Sequence, residues 1–451
     1  MAIRIDEKNT NISVHCWVSL SVVTWSPLIT AGEDKEKSFP LKNISSPQNT
    51  TAIMAPSAGG TPQPPSSSSS GSGPPYAAAL CMICLASLTV FVGSKWAARR
   101  KEQKGDDNED DGEEHDDSYE REVVDLQWWQ IALMPVMSSL SLLVLFFFFQ
   151  YVQWVLIVWI SFTAWAASFE VSRQAMVDHA PSLCQGRNAT FAAVAFACIT
   201  MAVWAMNGSF VAHDILGCAI CICCISTIRF PSMKLATLCL SLLLLYDVFW
   251  VFYSEYFFKK NVMVNVATKT APNPLQAMGA SYNIKPLASL RPTLELPIKL
   301  MWPSVLSGTT NIRYIMLGLG DIVLPGFFVA LALRCDVNHG MSSLSTVPLL
   351  PVSAATATWS IYTGGVHTPS NKQSESGKSP NRAGRPDLFT FAMGGYVLGL
   401  VAAFTIGYVF KHAQPALIYL VPGVLLPVAA RAWQTNRLLE VWNGPAKSRE
   451  Y

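Results

Sequence analysis

Leu242-Leu-Leu-Leu-Tyr-Asp-Val-Phe-Trp-Val-Phe252 is an apolar run that, with its flanks, is long enough to cross a bilayer, and it carries one carboxylate, Asp247. Downstream, Leu317-Gly-Leu-Gly-Asp-Ile-Val-Leu-Pro-Gly326 places a second carboxylate, Asp321, in similar surroundings. Reading both stretches as membrane spans fixes the class of the whole chain. Of its 451 residues 51% are apolar and only 14% charged, against roughly 25% charged in soluble domains. A formal charge of +2, with no basic stripe interleaved with aromatics, gives no reason to expect nucleic acid.

A hydrocarbon core needs roughly 20 apolar residues per helix, because lipid cannot satisfy bare backbone polar groups. Nine runs approach this: 76–94, 128–149, 154–169, 189–206, 210–228, 235–252, 314–333, 388–410 and 415–430. Lys and Arg set the orientation. Lys95, Arg99, Arg100, Lys101 and Lys104 close the first span and place that side in the cytosol. Alternation then puts Arg173 and Arg187, Arg229 and Lys234, Arg334, and Arg431 and Arg437 on cytosolic connections. The long sixth-to-seventh connection is assigned to the lumen although it holds Lys259, Lys260, Lys269, Lys285, Arg291, Lys299 and Arg313; long loops obey the charge rule weakly. The N-terminus is expected in the lumen and the C-terminus in the cytosol.

The expected organisation is a luminal tail over 1–75, an N-terminal bundle over 76–234 with an acidic cytosolic loop at 97–127, and a second bundle over 235–430. That second bundle contains a luminal loop at 253–313 and a cytosolic linker at 334–387; residues 431–451 form a cytosolic tail. The first 75 residues are rich in Ser, Pro and Gly, a composition that does not pack a core. Within them 14–30 is moderately apolar but broken by Pro27, and is read as retained tail rather than signal segment. Asn11, Asn43 and Asn49 head glycosylation sequons. Cys81, Cys84, Cys198, Cys218, Cys221, Cys223, Cys224 and Cys239 lie inside apolar runs, where cysteine behaves as a small apolar residue. Cys221-Ile-Cys-Cys224 has no His or Cys partner at ligand spacing, so no metal site is expected.

Ionisable groups at membrane depth are rare, and each is a functional hypothesis by default. Two carboxylates brought together there would hold one proton between them, an acid and a base on either side of a water. Taken singly, either Asp247 or Asp321 also fits a helix–helix hydrogen bond, an ion ligand or a proton relay. Gly318 and Gly320 strip side chains from the approach to Asp321, letting the helix loosen or another backbone come close. A loosened segment suits peptide scission, since helical amides are shielded; it equally suits the broken helix of a proton- or cation-coupled transporter. A chaperone of membrane helices is a third reading. Gln414-Pro-Ala-Leu417 opens the last span, with Pro415 lacking an amide hydrogen and Ala416 permitting close helix approach. His213-Asp214, at the start of the fifth span, is expected to be an interfacial polar pair. Neither His-Glu-x-x-His nor a Gly-x-Ser-x-Gly element at a strand-to-helix turn occurs.

Tyr246-Asp247, Gly318-Leu319-Gly320-Asp321 and Pro415-Ala416-Leu417, in that order on three late spans, resemble the three motifs of the presenilin and signal peptide peptidase family. Residues 246–254, 261–268, Asn273-Pro-Leu275, 294–301 and 412–422, with 139–149 and 228–231, are similar to the branch of signal peptide peptidase-like protein 3. The similarity spans about 76–442; the N-terminal tail and the acidic insert depart from it. The resemblance implies an all-α membrane protein of nine transmembrane helices that hydrolyses peptide bonds inside the spans of other membrane proteins. It implies Asp247 and Asp321 as the catalytic pair, with Tyr246, Gly318, Leu319, Gly320, Pro415, Ala416 and Leu417 shaping the site and meeting substrate. It implies no cofactor and no partner subunit, although a homo-oligomer stays open. Type II membrane proteins such as Golgi glycosyltransferases are the implied substrates, and Golgi or endoplasmic reticulum membranes the implied location.

Overall fold

The computed structural model describes residues 75–106, 124–125, 127–179, 187–258, 271–283, 285, 290, 293–304, 313–338, 388–410 and 414–444. The three sequons, the 14–30 segment, most of the acidic insert and the 339–387 part of the cytosolic linker lie outside the described residues.

The long helices are α1 (Pro75–Asp106), α2 (Trp128–His179), α3 (Arg187–Asn207), α4 (Phe210–Thr227) and α5 (Met233–Val248). After α5 the chain continues through one π turn, Phe249–Tyr253, into the short α6 (Ser254–Phe258). The 253–313 connection holds α7 (Pro274–Ser281), and α8 (Leu319–Asn338), α9 (Leu388–Phe410), α10 (Leu417–Gln434) and α11 (Leu438–Asn443) follow. Six short strands pair two by two: β1 (Val124–Asp125) with β2 (Ile228–Arg229), β3 (Ala271–Pro272) with β4 (Thr293–Leu294), and β5 (Lys299–Ser304) with β6 (Arg313–Gly318).

Among the described residues, eight helical segments are long and apolar enough to cross a membrane. Two of them come from α2, which breaks at Phe148 (φ −112°, ψ 20°) into Trp128–Phe149 and Tyr151–Asp178. The third span is therefore longer than the apolar run at 154–169: the helix continues past Glu170 because that carboxylate pairs with Arg173 one turn on, at 3.3 Å. The seventh expected span, 314–333, takes a different form. Its first residues join strand β6, so helix starts only at Leu319 and runs to Asn338, gathering Asp321, Arg334 and Asp336. With three charges it falls outside the eight, yet every residue from Leu319 to Leu333 is buried.

That burial identifies α8 as the central helix: a helix apolar on all sides must be surrounded. It packs against α1, α4, α5, α9 and α10. By contrast Trp128–Phe149 and α3 are peripheral, with Phe147, Phe148, Phe191 and Ile199 turned outward. Small residues permit the central contacts. A Cβ on Gly326 would stand 2.7 Å from Ile225 Cδ1, so α8 and α4 meet there closely.

The α9–α10 contact is tighter and has a backbone cause. Pro427 in α10 has no N–H to return to the carbonyl of Gly423, one turn earlier. That carbonyl oxygen approaches α9 instead: a Cβ placed on Gly395 would lie 2.0 Å from it. The start of α9 is fixed from α8, where Asp336 Oδ2 accepts the Phe389 N–H at 2.8 Å. Asp336→Ala removes that acceptor from a buried donor, an expected cost of about 1–3 kcal/mol. The check is a thermal melt in detergent, in which the variant unfolds several degrees below the parent.

Candidate active site

Asp247 sits at the end of α5, and the conformation changes immediately after it. The helix is started by Ser232, whose hydroxyl accepts the Leu235 N–H at 3.3 Å, and stays regular to Val248 before widening into the π turn. Such widened turns are frequent at functional sites. Asp321 sits in the first turn of α8, directly after Gly318 ends strand β6 and Leu319 and Gly320 enter the helix. Pro325, four residues on, cannot donate to the Asp321 carbonyl. The backbone around both acids is thereby less regular than a plain transmembrane helix.

Each carboxylate is 1% exposed, and neither Asp247 oxygen nor Asp321 Oδ1 has a hydrogen-bond partner among the described residues. Helices α5 and α8 pack together, and the two acids stand close enough for the charge of one to act on the other. Two buried carboxylates with those oxygens unpartnered in an apolar bundle are costly for folding. They are ready, however, to engage a water and a carbonyl group.

The other expected site residues lie on the elements that carry or pack against these two acids. Tyr246 is buried among Leu142, Leu145, Leu156, Ile160 and Trp250, its hydroxyl without a hydrogen-bond partner among the described residues. Trp250 is itself held by Ser139 Oγ, which accepts its indole N–H at 3.1 Å. Gly318 pairs with Lys299 across the β5–β6 ladder. Leu319 is fully buried and donates its N–H to the Ile298 carbonyl at 3.3 Å; Gly320 is buried beside it. Pro415, Ala416 and Leu417 are buried and form the entry turn of α10, with the Pro415 and Ala416 carbonyls accepting from Ile418, Tyr419 and Leu420. Helix α10 packs on both aspartate-bearing helices.

Two lining features escaped the sequence reading. One is Tyr396 of α9, fully buried, its hydroxyl unpartnered, and within electrostatic reach of Asp321. The signal was available as a hydroxyl directly after two glycines in Gly394-Gly-Tyr396. The other is the β5–β6 hairpin, which carries chain in extended form to within three residues of Asp321.

A sequence model of the signal peptide peptidase family matches residues 118–448 of this chain. The chain belongs to that family. Like its members it is an intramembrane aspartic endopeptidase, a multi-pass membrane protein acting on membrane-protein substrates. A signal peptide peptidase-like 1 protein of Arabidopsis thaliana is 32% identical over 336 residues, covering 71% of this chain and 82% of the relative. Its namesake from Oryza sativa subsp. japonica is 33% identical over 335 residues, with 70% and 81% covered. Human signal peptide peptidase is 27% identical over 226 residues, 49% of this chain and 41% of that protein. A rice protein named signal peptide peptidase-like 3 is also 27% identical. Within the signal peptide peptidase family, identity thus favours relatives named like 1 over that relative named like 3. The matched region takes in all three motif-bearing spans.

Proposed function

We propose that Asp247 and Asp321 are the catalytic pair of this protease, and that Tyr246, Gly318, Leu319, Gly320, Pro415, Ala416 and Leu417 shape the site around a bound peptide. The observation that carries this reading is the pairing itself: two buried carboxylates on adjacent helices, with both Asp247 oxygens and Asp321 Oδ1 lacking a hydrogen-bond partner among the described residues. In the reaction, the ionised member takes a proton from water, and the resulting hydroxide adds to the scissile carbonyl carbon. The neutral member hydrogen-bonds the carbonyl oxygen and carries the tetrahedral intermediate. Collapse breaks the C–N bond, and the amine leaves with a proton from the pair. No covalent acyl-enzyme and no metal enters these steps.

The β6 strand supports the same reading. It has one paired edge, to β5, and among the described residues nothing pairs with the other. An extended peptide added along that edge would lead past Gly318 towards Asp321. A transporter with the two acids as coupling sites has less in its favour, because the break in helical structure lies against a hairpin rather than opposite a second matching broken helix.

The preferred substrates in this reading are type II membrane proteins, Golgi glycosyltransferases among them, and the enzyme resides in Golgi or endoplasmic reticulum membranes. Its N-terminus is luminal and its C-terminus cytosolic. Basic residues at the ends of the spans motivate that orientation: Lys95 and Arg99, then Arg173, Arg229, Lys234 and Arg431. The test uses purified full-length protein in liposomes with single-span substrates of both orientations. Expected are cuts within the span of the type II substrate, at least about tenfold faster than for the type I version, and competition by a hydroxyethylene peptide that mimics the tetrahedral intermediate. Equal rates in both orientations would remove the type II preference, and no cutting at all would remove the assignment.

A further inference from the structure

Helix α4 carries two polar groups in its first turns, His213 and Asp214, which the proteolytic chemistry does not use. They are 1% and 6% exposed, so they are core groups rather than interfacial ones. Their partners lie on one short segment of the luminal loop. His213 Nε2 stands 2.9 Å from the Leu296 carbonyl oxygen. Its Nδ1 faces Asp214 Oδ1 at 3.2 Å, and that same Oδ1 accepts the Met301 N–H at 2.9 Å. A carbonyl oxygen only accepts, so Nε2 carries the hydrogen of its bond. The two side chains grip both ends of the turn that leads into β5.

From this grip an unbroken chain of bonds runs to the active site. The Leu296 carbonyl also accepts the Ile298 N–H at 2.8 Å, and the Ile298 carbonyl accepts the Leu319 N–H at 3.3 Å. Leu319 is two residues from Asp321. Lys299 pairs with Gly318 in the same ladder. One turn along α4 from Asp214, Gly217 lets β5 lie flat: a Cβ there would touch Leu300 Cδ2 at 3.0 Å. Because Asp214 takes the Met301 N–H, that N–H is not available to a further strand on the β5 side. The edge left for an added peptide is that of β6. The charged neighbours do not intrude: Glu295 and Lys299 pair with each other at 3.0 Å, with the Glu295 side chain half exposed.

We propose that His213 and Asp214 are positioning residues for proteolysis: they fix the height of the β5–β6 hairpin against α4 and thereby select which peptide bond of a bound strand reaches the two aspartates. This rests on the reading of Asp247 and Asp321 as the catalytic pair. The experiment uses full-length enzyme in liposomes, a single-span type II substrate, mass spectrometry of the product termini, and binding of the hydroxyethylene mimic. Asp214→Ala and His213→Leu are expected to lower kcat/KM about tenfold or more. They should also move the principal cut by one or more residues, while the affinity for the mimic stays within about threefold. Asp214→Asn keeps an oxygen for the Met301 N–H and is expected to stay nearer the parent in rate and cut position.

A rate loss at an unmoved cut overturns the proposal, since a merely structural contact lowers the amount of active enzyme without changing where it cuts. So does an unchanged rate. If Asp214→Ala or His213→Leu does not fold, His213→Gln is judged by the same shift in cut position. Failure of the underlying reading is separable: the parent enzyme would then cut no differently from Asp247→Asn.

Discussion

Asp247→Asn and Asp321→Asn should each lower cleavage by about 10²–10⁴-fold while leaving the protein folded and at least as stable as the parent. The two halves of that expectation have one cause. Asn is close to the shape of Asp, so packing among the α5 and α8 neighbours is kept. The carboxylates are buried with Asp247 and Asp321 Oδ1 unpartnered, so removing their charge relieves a cost of folding rather than adding one. Catalytic sites commonly carry such a cost, and stability rises when it is removed. Each variant also removes the shared proton, so the double variant should be no slower than the worse single one. The measurements are product formation from a single-span substrate and a thermal melt in the same detergent. A variant that loses activity and melts much lower would mean the acid holds the bundle together, and the assignment to chemistry would lapse.

Gly395→Ala should be nearly as damaging by a wholly different route. The added Cβ would sit 2.0 Å from the Gly423 carbonyl oxygen, with Pro427 Cγ at 3.2 Å. The obstacle is backbone, so α9 and α10 have to separate. Overpacking of this kind costs typically 1–3 kcal/mol. The functional loss should exceed the stability loss, because α10, which follows directly from Pro415 and Ala416, packs on both aspartate-bearing helices. Gly217→Ala is the milder comparison. Its Cβ meets side-chain tips, Leu300 Cδ2 at 3.0 Å and Leu319 Cδ2 at 3.6 Å, and a side-chain tip can turn aside. Melting temperature and cleavage rate, measured for both variants, should separate them clearly; equal effects would show that the α9–α10 approach is not the point of control.

Much of this could be read from the residues. Asp247 and Asp321 stood out because charge at membrane depth has few explanations, and the eight apolar helices follow from hydropathy and length. What failed to show did so for physical reasons. Residues 314–318 read as span because they are apolar; they became strand because Lys299–Ser304, which precedes them in the sixth-to-seventh connection, supplies the hydrogen bonds. Pairing between separated segments leaves no periodicity in either one alone. His213-Asp214 looked interfacial because a sequence shows the polar pair but not what covers it, and here Leu296 and Met301 do. The short third run misled because a scan for apolar residues stops at Glu170, whereas a helix continues when the charge finds Arg173.

The central position of α8 bears on biogenesis. A segment that enters a membrane on its own merit must satisfy lipid with its own side chains, and each Asp or Arg at the centre of such a helix costs roughly 2.5–3.5 kcal/mol. Helix α8 carries Asp321, Arg334 and Asp336, and from Leu319 to Leu333 all of its surface is taken up by neighbours. Two of its charges already have partners: the Phe230 carbonyl accepts from Arg334 at 2.7 Å, and Asp336 accepts from Phe389. Those partners belong to segments made both before and after it. The helix that bears one half of the chemistry is therefore a late and dependent arrival during synthesis. It would be handed from the translocon to α1, α4 and α5 rather than to lipid, and completed only when α9 emerges.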